Sequence, residues 1–388
     1  MHIKKDENVY VFLMLIAFIG VLSAYFHAVN ALHKLPMHIA YSDILAFYGK
    51  ATEPGLPYID KLIEYPVITG FFIHFMGVLG ENYVGYYFQT SLFLILFATA
   101  ATFVLYQFPE KKDEKRLVIY WIFAPSMFFF LIYNWDIIAV FLVIIAFSAI
   151  KQDKDYLASL FLALGFSSKF YPIIYLFPLL LKKKEIAEWI KIIGVFGVTT
   201  LIINLFFMFS NFEGWYYFIS FNSLRPPNLD SIWGAIDFFL HYGLSISRMN
   251  MLSLFLIATS SILLMWNFRQ EESTIKFCFT LTLIFLLFNK VFSPQYLLWL
   301  LPFFVLLPQF EKKVFYALEL SNLIVFFTIT FYYNMHDVTY LYGLTAANYL
   351  YLCSLFVIIR HLILAFMLLK ILDADLFFRK ILLKLKEN

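Results

Sequence analysis

An aspartate, Asp43, stands in Tyr41-Ser42-Asp43 a short way past the first long apolar run. A carboxylate at a membrane surface can act as a general base, taking the proton from an attacking hydroxyl. It also suits the N-cap of a helix beginning Ile44-Leu45-Ala46-Phe47, and the two roles are compatible. Three cations come next: Lys169 in Ser167-Ser168-Lys169-Phe170-Tyr171-Pro172, Lys290 in Phe288-Asn289-Lys290-Val291-Phe292-Ser293-Pro294-Gln295-Tyr296, and Arg225 in Arg225-Pro226-Pro227-Asn228. A lone lysine near a helix end ordinarily snorkels to the interface. Three cations near hairpin tips or a polar loop point instead to an anionic ligand such as a phosphate.

Asn134 and Asp136 precede the apolar run 137–150. A cap needs only one polar residue, and a charge at the centre of a bilayer costs about 2.5–3.5 kcal/mol, so this pair is a functional candidate. Glu64, between apolar neighbours in Glu64-Tyr65-Pro66, suits a sugar hydroxyl or a metal, whereas Gly55-Leu56-Pro57-Tyr58 reads as scaffolding. His336, beside Asp337, could assist proton transfer or the leaving group, although a solvated loop also accounts for it. There is no Gly-rich phosphate loop and no zinc-ligand spacing. Cys278 and Cys353 both fall in apolar segments, which argues against a disulfide framework or a cysteine metal site.

The elements that must position these groups belong to a membrane protein. Hydrophobic residues make up 62% of 388 positions and charged ones 14%, too few to cover a soluble surface. The mean hydropathy is +0.79. A helix needs roughly 20 apolar residues to cross the hydrocarbon layer. Clear spans are 9–29, 84–106, 189–209, 249–267, 314–333 and 349–369. The first is too long for a signal-peptide core and is expected to be retained. Three further stretches read as pairs of short helices: 117–132 with 137–150, 156–170 with 171–181, and 277–289 with 291–308. Their polar breaks at Asn134-Trp135-Asp136, Lys169 and Asn289-Lys290 suit helix ends bordering a watery cavity inside the protein.

With the amino terminus inside, alternating spans place 21 Lys and Arg on the cytoplasmic side and seven on the other, setting aside Arg360 within the last span. This is the positive-inside asymmetry. It predicts about twelve crossings, both termini in the cytoplasm, and an outer segment 30–82 with juxtamembrane helices, of which 66–80 does not cross. The net charge of +3 does not favour nucleic acid. One transmembrane domain is expected over 1–372, followed by a basic amphipathic tail, 373–388, lying on an anionic leaflet.

In order and spacing, these motifs resemble the GT-C class of polyprenyl-phosphate-sugar-dependent glycosyltransferases. The similarity is to the family 87 mannosyltransferase-like proteins and, more remotely, to the first mannosyltransferase of GPI-anchor synthesis. It rests on Asp43, Gly55-Leu56-Pro57-Tyr58, Glu64-Tyr65-Pro66, Asn134-Trp135-Asp136, Lys169-Phe170-Tyr171-Pro172 and the block Asn289 to Trp299. The GPI enzymes carry Asp-x-Asp in the first loop, where this chain has a single carboxylate, so a divalent metal is open but not favoured and no other cofactor is expected.

The resemblance implies an all-α GT-C fold in the plasma membrane with its active site outside the cytoplasm. The donor would be a polyprenyl-phosphate hexose, and mannose in particular; the acceptor would be a lipid or a glycan. Asp43 would be the base, with Lys290, Lys169 and Arg225 on the donor phosphate. Glu64, Tyr65, Asn134 and Asp136 would contact substrate, as would Asn228, Gln295, Tyr296 and His336. The alternative is a transporter or flippase for lipid-linked sugars. Against it stand the absence of a visible internal repeat and the gathering of polar residues at one face.

Overall fold

The computed structural model describes residues 8–33, 40–108, 114–267, 273–333 and 345–372. His336 and the tail 373–388 lie outside the described residues. Among those described, the secondary structure is helical apart from an isolated β-bridge between Pro57 and Lys61. Among the described residues, six helices are long and apolar enough to cross a membrane: Asn8–Val29, Tyr83–Tyr106, Ile186–Ser210, Ile246–Leu264, Lys312–Tyr333 and Ala346–Ile371. They coincide with the six long spans expected from the sequence. Helices suit this solvent because hydrocarbon offers no partner to a backbone N–H or C=O. Some hydroxyls inside a span bond back to their own helix, as Thr99 and Thr102 do to Ile95 O and Ala98 O at 2.8 Å.

The chain divides into two compact units, Met1–Arg225 with Gln295–Val305, and Pro226–Pro294 with Leu306–Asn388. In the first, Asn8–His33 packs on Tyr83–Tyr106, which packs on Asp136–Lys151. Asp155–Ser168 and Ile186–Ser210 follow in the same series. Buried polar contacts tie neighbours together: Tyr87 Oη donates to Ala24 O at 2.7 Å, Trp121 Nε1 to Thr102 Oγ1 at 2.7 Å, and Ser159 Oγ to Ile192 O at 2.7 Å.

The stretches expected to be broken are broken, with detail that periodicity could not supply. The segment before Asn134 is not one helix but Glu114–Leu117, a π-helical turn Val118–Ile122, and Pro125–Phe130. Pro125 opens the last of these at a first-turn position, where its missing N–H costs nothing. Asp155–Ser168 stops where Lys169 turns extended, two residues ahead of the 3₁₀ turn Tyr171–Tyr175. The turn preserves a backbone path through Tyr171-Pro172, where a proline ring obstructs a continuous α-helix.

The outer segment contains Asp43–Ala46, Tyr48–Thr52 and Val67–Gly80. The last has 14 residues, hence a rise of about 21 Å, short of a bilayer's hydrocarbon thickness. It docks closely on the loop before it. A Cβ on Gly70 would lie 1.8 Å from Tyr58 Oη, and one on Gly77 would lie 2.4 Å from Ala51 O. The intervening loop is held by Lys61, whose buried ammonium donates to Glu53 O at 2.6 Å and Lys50 O at 3.1 Å. Tyr58 Oη donates to Tyr65 O at 2.7 Å, so the Gly-Leu-Pro-Tyr motif sets the backbone that presents Glu64 and Tyr65.

In the second unit, Lys312–Tyr333 lies along Ala346–Ile371, around a core that includes Ala235, Val325, Ile329, Cys353 and Val357. Thr345 and Asn348 close a capping box at the start of Ala346–Ile371.

Replacing Gly77 by Ala drives a methyl into a backbone carbonyl and is expected to destabilise the protein by about 1–3 kcal/mol. Gly194→Ala, where a Cβ meets nothing within 4 Å, is the control and is expected to leave stability unchanged or raise it slightly. Thermal unfolding of both variants in the same detergent separates the two cases.

Candidate active site

Asp43 is free for chemistry because its neighbour performs the local structural task. The N-cap of Asp43–Ala46 is Ser42, whose Oγ accepts from Ile44 N at 3.2 Å and lies 2.9 Å from Ile132 O and 3.1 Å from Tyr133 O. The Asp43 amide donates to Tyr133 O at 2.9 Å. Two chain segments far apart in sequence are thereby fastened, and Asn134 arrives beside Asp43. Asn134 Nδ2 donates to Asp43 Oδ2 at 2.6 Å and to Tyr65 Oη at 3.1 Å. Its Oδ1 accepts from Trp135 N at 2.5 Å, which fixes the amide's orientation.

Aromatic rings enclose this group. Phe47 and Tyr65 meet Trp135 edge to face, with centroids 5.4 Å and 5.2 Å away. Asp43 keeps part of its surface open, yet withdrawal from water dominates and holds its carboxyl above the ordinary carboxylate range. Hydrogen bonds from Tyr41 and Asn134 and the charge of Lys169 pull the other way, and the charge of Asp136 adds to the rise.

Asp136 is placed differently. Its side chain is 0% exposed, and both oxygens are engaged: Oδ2 accepts from Lys169 Nζ at 2.9 Å and Oδ1 from Trp299 Nε1 at 2.7 Å. Lys169, 14% exposed at its side chain, lies 5.3 Å from the ring centroid of Tyr65 and 5.8 Å from that of Tyr296. Trp299 is sandwiched between Tyr171 and Tyr296, stacked at 4.0 Å and 3.9 Å. Tyr296 remains partly open, and Gln295 is buried with its Oε1 unpartnered among the described residues. Glu64 forms an ion pair with Lys50.

The first unit therefore joins Asp43, Tyr65, Asn134, Asp136, Lys169 and Tyr296 through direct contacts. Arg225 ends the helix Phe212–Leu224 in an extended conformation in the same unit. Lys290 and Asn228 belong to the second unit. There the Asn228 amide donates to Lys290 O at 3.0 Å, and Asn228 Nδ2 donates to Ser293 Oγ at 2.9 Å.

A buried guanidinium organises that segment. Arg360, 0% exposed, donates to Asn322 Oδ1 at 2.7 Å, to Phe292 O at 3.3 Å and to Asp230 O, and it stacks 3.8 Å from the Phe292 ring centroid. Asn322 Nδ2 in turn donates to Pro294 O at 2.9 Å. Among the described residues, no group of three His, Cys, Asp or Glu side chains converges as ligands of one metal ion.

Sequence reasoning passed over Ser42, Trp299, Tyr171 and Arg360. The signal for Trp299 was a buried indole N–H, which needs an acceptor. For Arg360 it was the charge itself, since a cation within an apolar span is functional or structural by necessity.

The fold and the site define a multi-pass membrane protein with a polar, carboxylate-bearing centre built at breaks between short helices. The chain matches the family model of Glycosyltransferase family 87 over residues 63–294, more than half its length, and it belongs to that family. It is thus a membrane glycosyltransferase. It is also 24% identical over 289 residues to GPI mannosyltransferase 1 of Kluyveromyces lactis, with 68% of this chain and 71% of that protein covered. The family match takes in Glu64, Asn134, Asp136, Lys169, Asn228 and Lys290; Asp43 lies ahead of it and Tyr296 beyond it.

Asp136→Leu strands a largely enclosed lysine and a buried indole N–H together, and should cost about 3–5 kcal/mol of stability. Adding Lys169→Leu should restore a large part of that loss, because the stranded charge is gone. Chemical unfolding of the single and double variants in detergent provides the comparison.

Proposed function

We propose that the protein transfers a hexose, mannose in particular, from a polyprenyl-phosphate donor to a lipid or glycan acceptor, with inversion at the anomeric carbon and no divalent metal. The observation that carries this reading is Asp43, a partly open carboxylate held at 2.6 Å by Asn134 beside an aromatic-lined lysine. Family membership and the printed name of the Kluyveromyces lactis relative support the chemistry and the sugar. They favour transfer over a carrier.

In the proposed reaction Asp43 removes the proton from the acceptor hydroxyl as its oxygen bonds to the anomeric carbon. The bond from that carbon to the phosphate oxygen breaks on the opposite face, and the polyprenyl phosphate leaves with the electron pair. The proton stays on Asp43 until water removes it. A base poised above the usual carboxylate range accepts a proton more readily than an ordinary aspartate does. Lys169 keeps ammonium hydrogens beyond the one given to Asp136, and these face the phosphate as it gains charge. Lys290 and Arg225 are assigned the same task on their charge alone. Glu64, Tyr65, Asn134, Asn228, Gln295, Tyr296 and His336 are assigned substrate contacts.

The same reading adopts the GT-C architecture, with about twelve crossings and both termini in the cytoplasm of a plasma-membrane protein. The site then opens on the side opposite the basic loops.

The test is transfer from radiolabelled polyprenyl-phosphate mannose to a lipid extract by purified protein. Asp43→Asn is expected to lower kcat by about 10²–10⁴-fold, the usual contribution of a general base. A variant that retains full activity removes Asp43 from the mechanism. The acid limb of kcat/KM should fall above the usual aspartate pKa of about 3.9, because the raised carboxyl protonates, and activity is lost, sooner on acidification. A strong chelator should leave the rate unchanged; a loss would return Glu64 and Asp136 as candidate metal ligands. Faster transfer from the glucose donor would reassign the sugar.

A further inference from the structure

His27 sits in the first helix, wholly buried, and takes no part in the proposed chemistry. Its Nδ1 lies 2.9 Å from Ala40 O and its Nε2 lies 3.0 Å from Phe129 O. Carbonyl oxygens only accept, so each contact needs an N–H on the ring; either neutral tautomer holds one of the two, and the doubly protonated ring holds both. A leucine would fill the space with less desolvation but would leave both carbonyls without this partner.

Both carbonyls lead directly to the site. Ala40 lies three residues before Asp43. Phe129 is in the short helix Pro125–Phe130 that runs into Asn134. In that helix's last turn the Tyr133 amide bonds Phe130 O rather than Phe129 O, and His27 meets the Phe129 carbonyl instead. One turn earlier on the same helix face, Ser23 Oγ accepts from Ile132 N at 3.3 Å. Ser42 and the Asp43 amide then close the two segments onto Ile132 O and Tyr133 O.

We infer that His27 is a positioning residue for sugar transfer: it sits between the two backbone segments that carry Asp43 and Asn134, bonding one carbonyl as a neutral ring or both as a cation, and so sets the contact between them. This rests on the reading of Asp43 as the base. It predicts a loss in the chemical step above all, because the contact that His27 sets is the one by which Asn134 holds the base Asp43.

His27→Leu and His27→Gln are compared with wild type and Asp43→Asn in the purified transfer assay. His27→Leu should lower kcat at least tenfold with donor KM changed less than twofold. His27→Gln, which keeps an N–H donor group, should lose less. In an Asp43→Asn background, His27→Leu should bring no further loss, since the residue acts through the carboxylate. Should His27→Leu fail to fold, His27→Gln carries the same comparison.

Full kcat in both His27 variants, alongside an inactive Asp43→Asn, overturns the positioning role and leaves the base intact. So does a His27→Leu loss that multiplies the Asp43→Asn loss, or one expressed in KM. An active Asp43→Asn overturns the base assignment instead, and the role of His27 with it.

Discussion

The structure depends on one constraint, that a backbone group released from a helix inside a membrane must find a partner within the protein. Breaks in both units show it. Ser42 meets Ile132 O and Tyr133 O, and Asn134 meets the Trp135 amide. In the second unit Trp233 Nε1 and Ser253 Oγ both donate to Phe288 O, the end of Thr274–Phe288, while Asn289 Nδ2 donates to Val291 O. The polar residues that repair broken helices are thus the same class of residue that can bind a sugar. Breaking a helix in lipid demands polar side chains, and an active site requires them.

Two carboxylates of the first unit show how environment divides roles. Asp136 has no open surface and gives both oxygens to Lys169 and Trp299, so it is a fixed counter-charge. Asp43 accepts from Asn134 and Tyr41 yet keeps part of its surface open, so it can meet a substrate. The proton affinity of Asp43 is raised by desolvation, the effect that makes a carboxylate useful as a base near neutral pH. Lys169 links the two, bound to one and acting on the other through space.

The aromatic abundance also acquires structure. The Tyr171-Trp299-Tyr296 stack holds the indole that orients Asp136, and it leaves one partly open ring at its end. Phe47, Tyr65 and Trp135 form a second, edge-to-face group around the Asp43 pair. Rings packed in this way give rigidity at low entropic cost and lower the local dielectric in which a transition-state charge is stabilised.

The membrane class and the six long helices were determined by the sequence, because twenty apolar residues in a row have one low-energy arrangement in lipid. The breaks at Asn134, Lys169 and Lys290 were legible for the same reason, as polar groups cannot be carried across without a purpose. Family order and spacing pointed to glycosyl transfer. Partnership was decided by tertiary structure alone. Nothing local shows that Ser42 rather than Asp43 caps its helix, that Asp136 spends itself on Lys169 and Trp299, or that Arg360 holds Asn322 and the Phe292 backbone. These contacts join residues far apart in the chain, and their existence depends on which helices pack together. Hydrophobic patterning does not encode that choice, since lipid-facing and protein-facing helices are equally apolar.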